Sequence, residues 1–353
     1  MKGKGSITLR DVAREAQVSI GTASRVLNDK ANVGDEVRRR VLAAIEILDY
    51  RPDAVAQSMR RGSTHVIGCV VRDINIPSLA AFVHAAQNVL DRAGFSLLVS
   101  NSEGREERER ELLIRLNSQR SDGIMIGPYS PMTPTFDKFL RGLDAPIVMV
   151  DRDEPAWADA VMVDHAGSAR RATDRLLGLG HRRIALLTGN PSIYPARERI
   201  RGYTAAYEAA GIDLDKSLIR ADSFLSEASF RQTSALFNMS NPPTAILAGG
   251  IDMLAGVIKA TRVRGLTIPD DVSVIGASDS ELAELHSPAI SVATWDQGEV
   301  GSTAATLLLD RIRHAGPEEP QQVLVASKFV DRDSTAAPRP RNTNALSGRM
   351  PDG

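Results

Sequence analysis

The sequence predicts a small all-α headpiece with a helix-turn-helix, followed by a larger α/β core of two doubly wound parallel-sheet subdomains. Three observations predict it. Apolar residues recur at helical spacing through the first fifty positions. Beyond residue 64, short apolar runs alternate with helical patterns, the mark of parallel strands joined by crossover helices. Charge divides at the same place: residues 1–61 hold 12 Lys/Arg against 8 Asp/Glu, whereas the whole chain holds 43 against 44. A basic head on a mildly acidic body is the balance expected when attraction to nucleic acid is confined to one end. At about 100 to 200 residues per domain, the 353-residue chain has room for two or three domains.

The headpiece is expected over residues 1–50. Thr8 followed by Asp11 forms a capping-box-like start, and Leu9, Val12, Ala13 and Ala16 set one apolar face, giving a first helix from Thr8 to Ala16. Gln17 and Val18 suit a tight turn and Ser19 an N-cap. Ala23, Val26 and Leu27 face inward on the second helix, leaving Ile20, Gly21, Ser24, Arg25 and Asn28 outward. A third helix from Gly34 to Asp49 presents Val37, Val41, Ala44, Ile45 and Leu48 to the same core. Helices joined by so short a turn cross steeply, and small Ala13 allows close approach. That geometry sends the start of the second helix into the major groove, where Arg25 can pair with guanine O6 and N7. Periodicity alone favours an ordinary three-helix bundle with solvated arginines.

Residues 51–63 read as a hinge. Pro52 suits a first helical turn and Gly62 a stop, so 52–60 makes a helix too short to stand alone, one that folds against a symmetry mate and a minor groove.

ITLRDVAREAQVSIGTASRVLN, the third helix ending in LDYRP, and AVAQSMRRGSTHVIG together resemble the DNA-binding headpiece and hinge of the lactose/galactose repressor (LacI/GalR) family. The likeness extends in order over nearly the full chain. It implies base-reading positions at Ile20, Gly21 and Arg25, and a minor-groove wedge at Met59, where the family has leucine. Thr8, Ser19, Thr22, Ser24, Asn28, Val55 and Ala56 complete the DNA-contacting set it implies. Asp53, where asparagine is common, adds a negative charge near phosphates.

The core is expected over residues 64–331. Strands are read at His65–Val71, Phe95–Ser100, Gly123–Ile126 and Ile147–Val150, then at Arg183–Thr188, Ser217–Ala221, Ala245–Ala248 and Val272–Ile275. Helices begin near Pro77, Glu106, Pro195, Ser226, Ile251 and Gly298. Crossings near Asp164, Ile290 and Gln321 divide the core into an N-subdomain, 64–163 and 291–320, and a C-subdomain, 164–290 and 321–331. Residues 332–353, rich in Pro, Arg and Ser, read as a disordered tail.

Open α/β sheets bind ligands beyond their strand C-termini. Asn75, Tyr129, Asp151, Gly250, Ser278, Asp279 and Trp295 stand at such ends, and Arg199 lies in PARERIRG. The resemblance implies a periplasmic-binding-protein-like core with an effector between its subdomains, and places Asp151 and Arg199 at effector-contacting positions, Arg199 three residues before Gly202. Carboxylates, an arginine and an aromatic plate suit a hydroxylated ligand such as a sugar or sugar acid. An ion pair of Arg199 with Glu198 or Asp153 is the plainer alternative. Gly249, Gly250 and Ile251 follow AILA where the family shows an Asn-Asp pair, and Ser278 replaces a common Asp.

No GxSxG, P-loop, HExxH or CxxC occurs, and the six histidines lack metal-ligand spacing, so neither an enzyme nor a cofactor is expected. The single cysteine, Cys69, lies in an apolar run, and neither a signal segment nor a membrane span is read. The expectation is therefore a cytoplasmic, homodimeric transcription regulator, a repressor, that binds a pseudo-palindromic double-stranded DNA operator under control of a small molecule.

Overall fold

The computed structural model describes residues 7–27, 33–50, 63–129, 131–153 and 155–339. Asn28, Asp53, Val55, Ala56 and Met59, and with them the hinge helix expected over 52–60, lie outside these residues. The chain divides into two compact units after His65.

The first unit contains helices α1 (Leu9–Glu15), α2 (Ile20–Leu27) and α3 (Asp35–Ile47). Thr8 starts α1: its backbone N–H and its hydroxyl both donate to one carboxylate oxygen of Asp11, at 3.0 and 2.7 Å. Gln17 turns the chain with φ of 52°, and the Val18 N–H donates to the Ala13 carbonyl at 2.9 Å. Val12, Ala13, Ala16, Ala23, Val26, Val41 and Ala44 form the core. Four of the seven are alanines, and this is what lets three short helices close on each other without a large side chain between them.

The second unit carries two six-stranded sheets. The N-subdomain sheet runs β11-β5-β4-β3-β1-β2, from β1 (Val66–Val71), β2 (Ser96–Asn101), β3 (Gly123–Ile126), β4 (Ile147–Val150), β5 (Asp159–Val163) and β11 (Gln322–Val325), all parallel. The C-subdomain sheet runs β12-β10-β9-β8-β6-β7, from β6 (Ile184–Gly189), β7 (Ile219–Asp222), β8 (Ala245–Ala248), β9 (Ser273–Ala277), β10 (Ser291–Thr294) and β12 (Lys328–Val330), with only β12 antiparallel. VIGCVV, GIMI and AILA are almost wholly buried, as central strands covered on both faces must be.

Helices cover both sheets. On the N-subdomain lie α4 (Pro77–Arg92), α5 (Glu106–Ser118), α6 (Pro134–Arg141) and, from far along the chain, α12 (Gln297–Ile312). On the C-subdomain lie α7 (His165–Gly178), α8 (Tyr194–Ala209), α9 (Ser226–Phe237), α10 (Ile251–Val263) and α11 (Glu281–Leu285). Gly202 fixes one contact: a Cβ there would overlap the Ala166 carbonyl, so only glycine lets α8 lie on the first turn of α7.

Three expectations need correction. The second crossing follows β10, not Ile290: β10 pairs with β9 of the C-subdomain, and the chain changes sides at Trp295 before α12. The third falls between Val325 and Lys328, because β11 pairs with β5 of the N-subdomain. Residues 332–339 are not a disordered tail. The Val274 N–H donates to the Ser334 carbonyl at 3.0 Å, the Ser291 N–H to the Ser334 hydroxyl at 2.8 Å, and His181 Nε2 lies 2.9 Å from the Ala336 carbonyl. Ser334 is wholly buried.

Candidate functional site

In the headpiece, Ser19 caps α2 by accepting the Thr22 N–H at 3.1 Å, and the two hydroxyls are 2.9 Å apart. Ala23 and Val26 face the core, while Ile20, Gly21 and Arg25 stand exposed and Thr22 and Ser24 half-buried. Ile20 is 45% exposed although it is apolar. Among the described residues the outward face of α2 thus carries Ile20 and Gly21 in its first turn, where helix N–H groups favour phosphate, and Arg25 in its last.

In the core, a cavity of about 190 Å³ opens between the subdomains at the strand C-termini. Tyr129, Asp151, Arg199, Gly250, Ser278 and Trp295 line it. Asn75 and Asp279 do not. Asn75 is exposed and takes the Asp73 carboxylate through its N–H and its amide at 2.9 and 3.0 Å. Asp279 grips Arg332 with both oxygens, at 2.9 and 2.8 Å, and so holds the C-terminal segment.

Asp151 and Ser278 each end a strand, β4 and β9, in the left-handed region with φ of 51° and 69°. Such a conformation costs a non-glycine residue about 1 kcal/mol or more. It is held by the Asp151 N–H donating to the Val161 carbonyl at 2.7 Å and the Ser278 N–H to the Ala293 carbonyl at 2.9 Å. The turn brings the Asp151 carboxylate to His165, whose Nε2 lies 2.8 and 3.0 Å from its two oxygens. Burial pushes the His165 imidazole down against the pull of Asp151. A neutral ring beside a carboxylate carries its proton on Nε2, which donates to Asp151 and leaves Nδ1 as a bare lone pair. Burial works to raise the Asp151 carboxyl, but His165, Arg152 and Arg199 outweigh it and leave it below the ordinary carboxylate range.

Trp295 packs edge-on against His165 at 4.9 Å between ring centroids. Arg199 sits 5.9 Å from the Trp295 ring and 5.5 Å from Phe224. It forms neither of the plainer ion pairs: Asp153 binds Arg197 and Glu198 binds Arg201. Burial takes its guanidinium down to about 10, with Asp151 pulling the other way. Arg199 and Gly202 are about one turn apart on α8, so the close approach at Gly202 that seats α8 on α7 also brings Arg199 alongside His165. A Cβ at position 249 would overlap the Leu187 carbonyl and come within 3.3 Å of Arg199 Cδ, which accounts for glycine rather than asparagine after β8.

Sequence reasoning missed His165, Arg72, Arg152 and Phe224. His165 follows the unrecognised strand β5, although Asp164, an N-cap accepting the Gly167 N–H at 2.7 Å, marks a helix start. Arg72, at the end of β1, reaches across to Asp252 at the start of α10, at 3.4 Å. Arg152 donates to the Pro128 and Asp151 carbonyls. Beneath Tyr129, buried Glu109 accepts its N–H at 3.0 Å. Burial raises that carboxyl to about 6, against Tyr129 and Arg152.

A helix-turn-helix with its reading face outward, joined in one chain to a two-lobed cleft, defines a ligand-responsive DNA-binding regulator. The chain belongs to the lacI family of bacterial regulatory proteins: that family's model matches residues 8–53, and a periplasmic binding protein-like domain matches residues 173–335. The HTH-type transcriptional repressor PurR of Photobacterium profundum is 30% identical over 312 residues, 88% of this chain and 93% of that protein. The lac repressor dimer bound to operator and the anti-inducer ONPF is 27% identical, with a TM-score of 0.84 over 94% of this chain and all of that one. The transcriptional regulator CelR in complex with cellobiose is 27% identical, with a TM-score of 0.72 over 93% of this chain and 99% of that one. These relatives are transcriptional regulators, not enzymes. No described helix is long and apolar enough to cross a membrane.

Proposed function

We propose that this regulator is a cytoplasmic homodimeric repressor whose grip on a pseudo-palindromic operator is set by a small molecule in the core cleft. Ile20, Gly21 and Arg25 read base edges, Arg25 through guanine and Ile20 through a thymine methyl. Thr8, Ser19, Thr22 and Ser24 stand at the positions that fix the register on phosphates. Asn28, Val55, Ala56 and Met59 complete the interface on the strength of the family resemblance, Met59 as the minor-groove wedge. Two headpieces are needed because one helix-turn-helix makes too small an interface for ordinary operator affinity. The lac repressor dimer on its operator and the cellobiose complex of CelR support the same division of labour.

The observation that carries the reading is the outward face of α2, where an exposed isoleucine and glycine in the first turn and an arginine in the last stand above an alanine-packed core. The effector acts through Tyr129, Asp151, Arg199, Gly250, Ser278 and Trp295. These come from both subdomains, so a ligand touching all of them changes the spacing of the lobes and shifts the operator equilibrium by its differential affinity for the two states. Selection of bound duplexes from a random pool tests the reading. A symmetric site of two related half-sites is expected; recovery of duplexes with no common sequence would contradict it.

A further inference from the structure

Arg199 is a buried cation that no described acid holds by a hydrogen bond or ion pair, Asp151 acting on it through its charge alone. It is 6% exposed, and its Nε is buried without a hydrogen-bond partner. The described acids near it are engaged elsewhere. Asp151 is held by His165, Asp153 by Arg197, Glu198 by Arg201 and Asp252 by Arg72. A guanidinium buried without a bonded counter-ion has lost hydration that an incoming anion can replace, and its planar fork matches a carboxylate.

In the rest of the cleft the carboxylates a polyol would need are committed, Asp151 to His165 and Asp252 to Arg72, which leaves Ser78, Tyr129, Ser278 and Gln297 as its uncharged polar lining. Hydroxyl groups need acceptors as well as donors, and each one left unmatched in a closed site costs affinity. Where β8 ends, the lining runs through Gly249, Gly250, Ile251 and Asp252, and the carboxylate of Asp252 is taken by Arg72 at 3.4 Å. Phe82, Met125, Ile193, Phe224, Trp295 and Val300 supply apolar walls. Two of those walls, Phe224 and Trp295, flank the Arg199 guanidinium itself.

We propose that the cleft takes a small carboxylate whose remainder is flat and apolar, with Arg199 receiving the carboxylate and Trp295 and Phe224 bounding the plane. The inference rests on the effector reading above and names its ligand class. Isothermal titration of the full chain with benzoate, trans-cinnamate, benzamide, cinnamamide, D-glucuronate, ribose and cellobiose tests it, with operator affinity read in parallel. The carboxylates are expected to bind about tenfold tighter than their amides or better, and that ratio to fall towards one in Arg199→Gln. If Arg199→Gln does not fold, the carboxylate-to-amide ratio on the unmodified protein decides alone. Equal binding of acid and amide, or no binding of either at millimolar concentration, overturns the proposal. Preference for D-glucuronate overturns its apolar half, and preference for ribose or cellobiose overturns it whole. Carboxylate binding that leaves operator affinity unchanged would remove the effector reading and keep the ligand class; a neutral sugar that shifts operator affinity would do the reverse.

Discussion

In the headpiece, the side chains assigned to DNA stand outward from a helix whose inner face is packed by Ala23 and Val26, so reading and folding use different atoms. In the cleft they use the same ones. Arg199 and Trp295 are buried, His165 is sealed beneath Asp151, and the turns at Asp151 and Ser278 are strained strand ends. Substitutions on the headpiece surface are therefore expected to change specificity at constant stability, whereas most substitutions around the cleft change both. Arg199 is the exception the comparison singles out. Bonded to no acid among the described residues, it is expected to cost the fold less to lose than a paired buried charge.

The sharpest break is expected at Gly202. Gly202→Val places a side chain into the Ala166 carbonyl and forces α8 off α7. A loss of about 3 kcal/mol in core stability is expected, at the upper end of overpacking costs, together with loss of the ligand response. Denaturant unfolding followed by Trp fluorescence measures it; an unchanged midpoint would show that α8 has room to move.

Arg25→Ala examines the other side. Operator affinity is expected to fall by about 1 to 3 kcal/mol with relaxed choice at one base pair, and the core's unfolding midpoint to stay in place. Fluorescence anisotropy on single-base operator variants distinguishes this from a phosphate contact, which would weaken every duplex alike.

Glu109→Gln gives a smaller, pH-dependent effect. The folded carboxyl titrates at about 6 against an ordinary value of 4.5. Below the ordinary value both states are protonated and nothing is lost; above about 6 the folded protein carries a buried charge that costs about 2 kcal/mol. Glutamine still accepts the Tyr129 N–H without that charge. The variant is expected to be more stable near pH 8, by up to about 2 kcal/mol, and to lose its advantage near pH 4.5. Thermal melts of both proteins across that range measure the difference, and an advantage independent of pH would exclude the titration as its source.

Smallest is the exposed pair of Arg197 with Asp153, which spans the two subdomains. Arg197→Ala is expected to cost under about 1 kcal/mol in stability, because solvent screens the pair. A larger change in a thermal melt would mean that this contact locks the cleft.

The same contrast decides what could be read from the sequence. Headpiece function is local: periodicity orients Ile20, Gly21 and Arg25 within eight residues of chain, and the capping signals at Thr8 and Ser19 are residue-level facts. Central strands such as VIGCVV are legible because burial on both faces leaves a continuous apolar run. The cleft is assembled from distant pieces. His165 matters because a left-handed turn fourteen residues earlier presents Asp151 to it, and nothing in the spacing announces that. Asn75 and Asp279 stand near strand ends yet are committed to Asp73 and Arg332. Strands β5, β10, β11 and β12 are three to five residues long and lie beside the crossings, so two of the crossings fall elsewhere than the pattern of apolar runs suggests. The segment 332–339 has the composition of a tail, and its order comes from Ser334 and Ala336 bonding to residues far earlier in the chain.

Recognition and regulation are expected to separate at a single cleft residue, Arg199. Operator titration of Arg199→Gln, with and without a metabolite that shifts the unmodified protein, tests it most directly. Operator affinity within about twofold of the unmodified protein, with no response to the metabolite, is the predicted result. A retained response, or operator binding lost along with it, would contradict the claim.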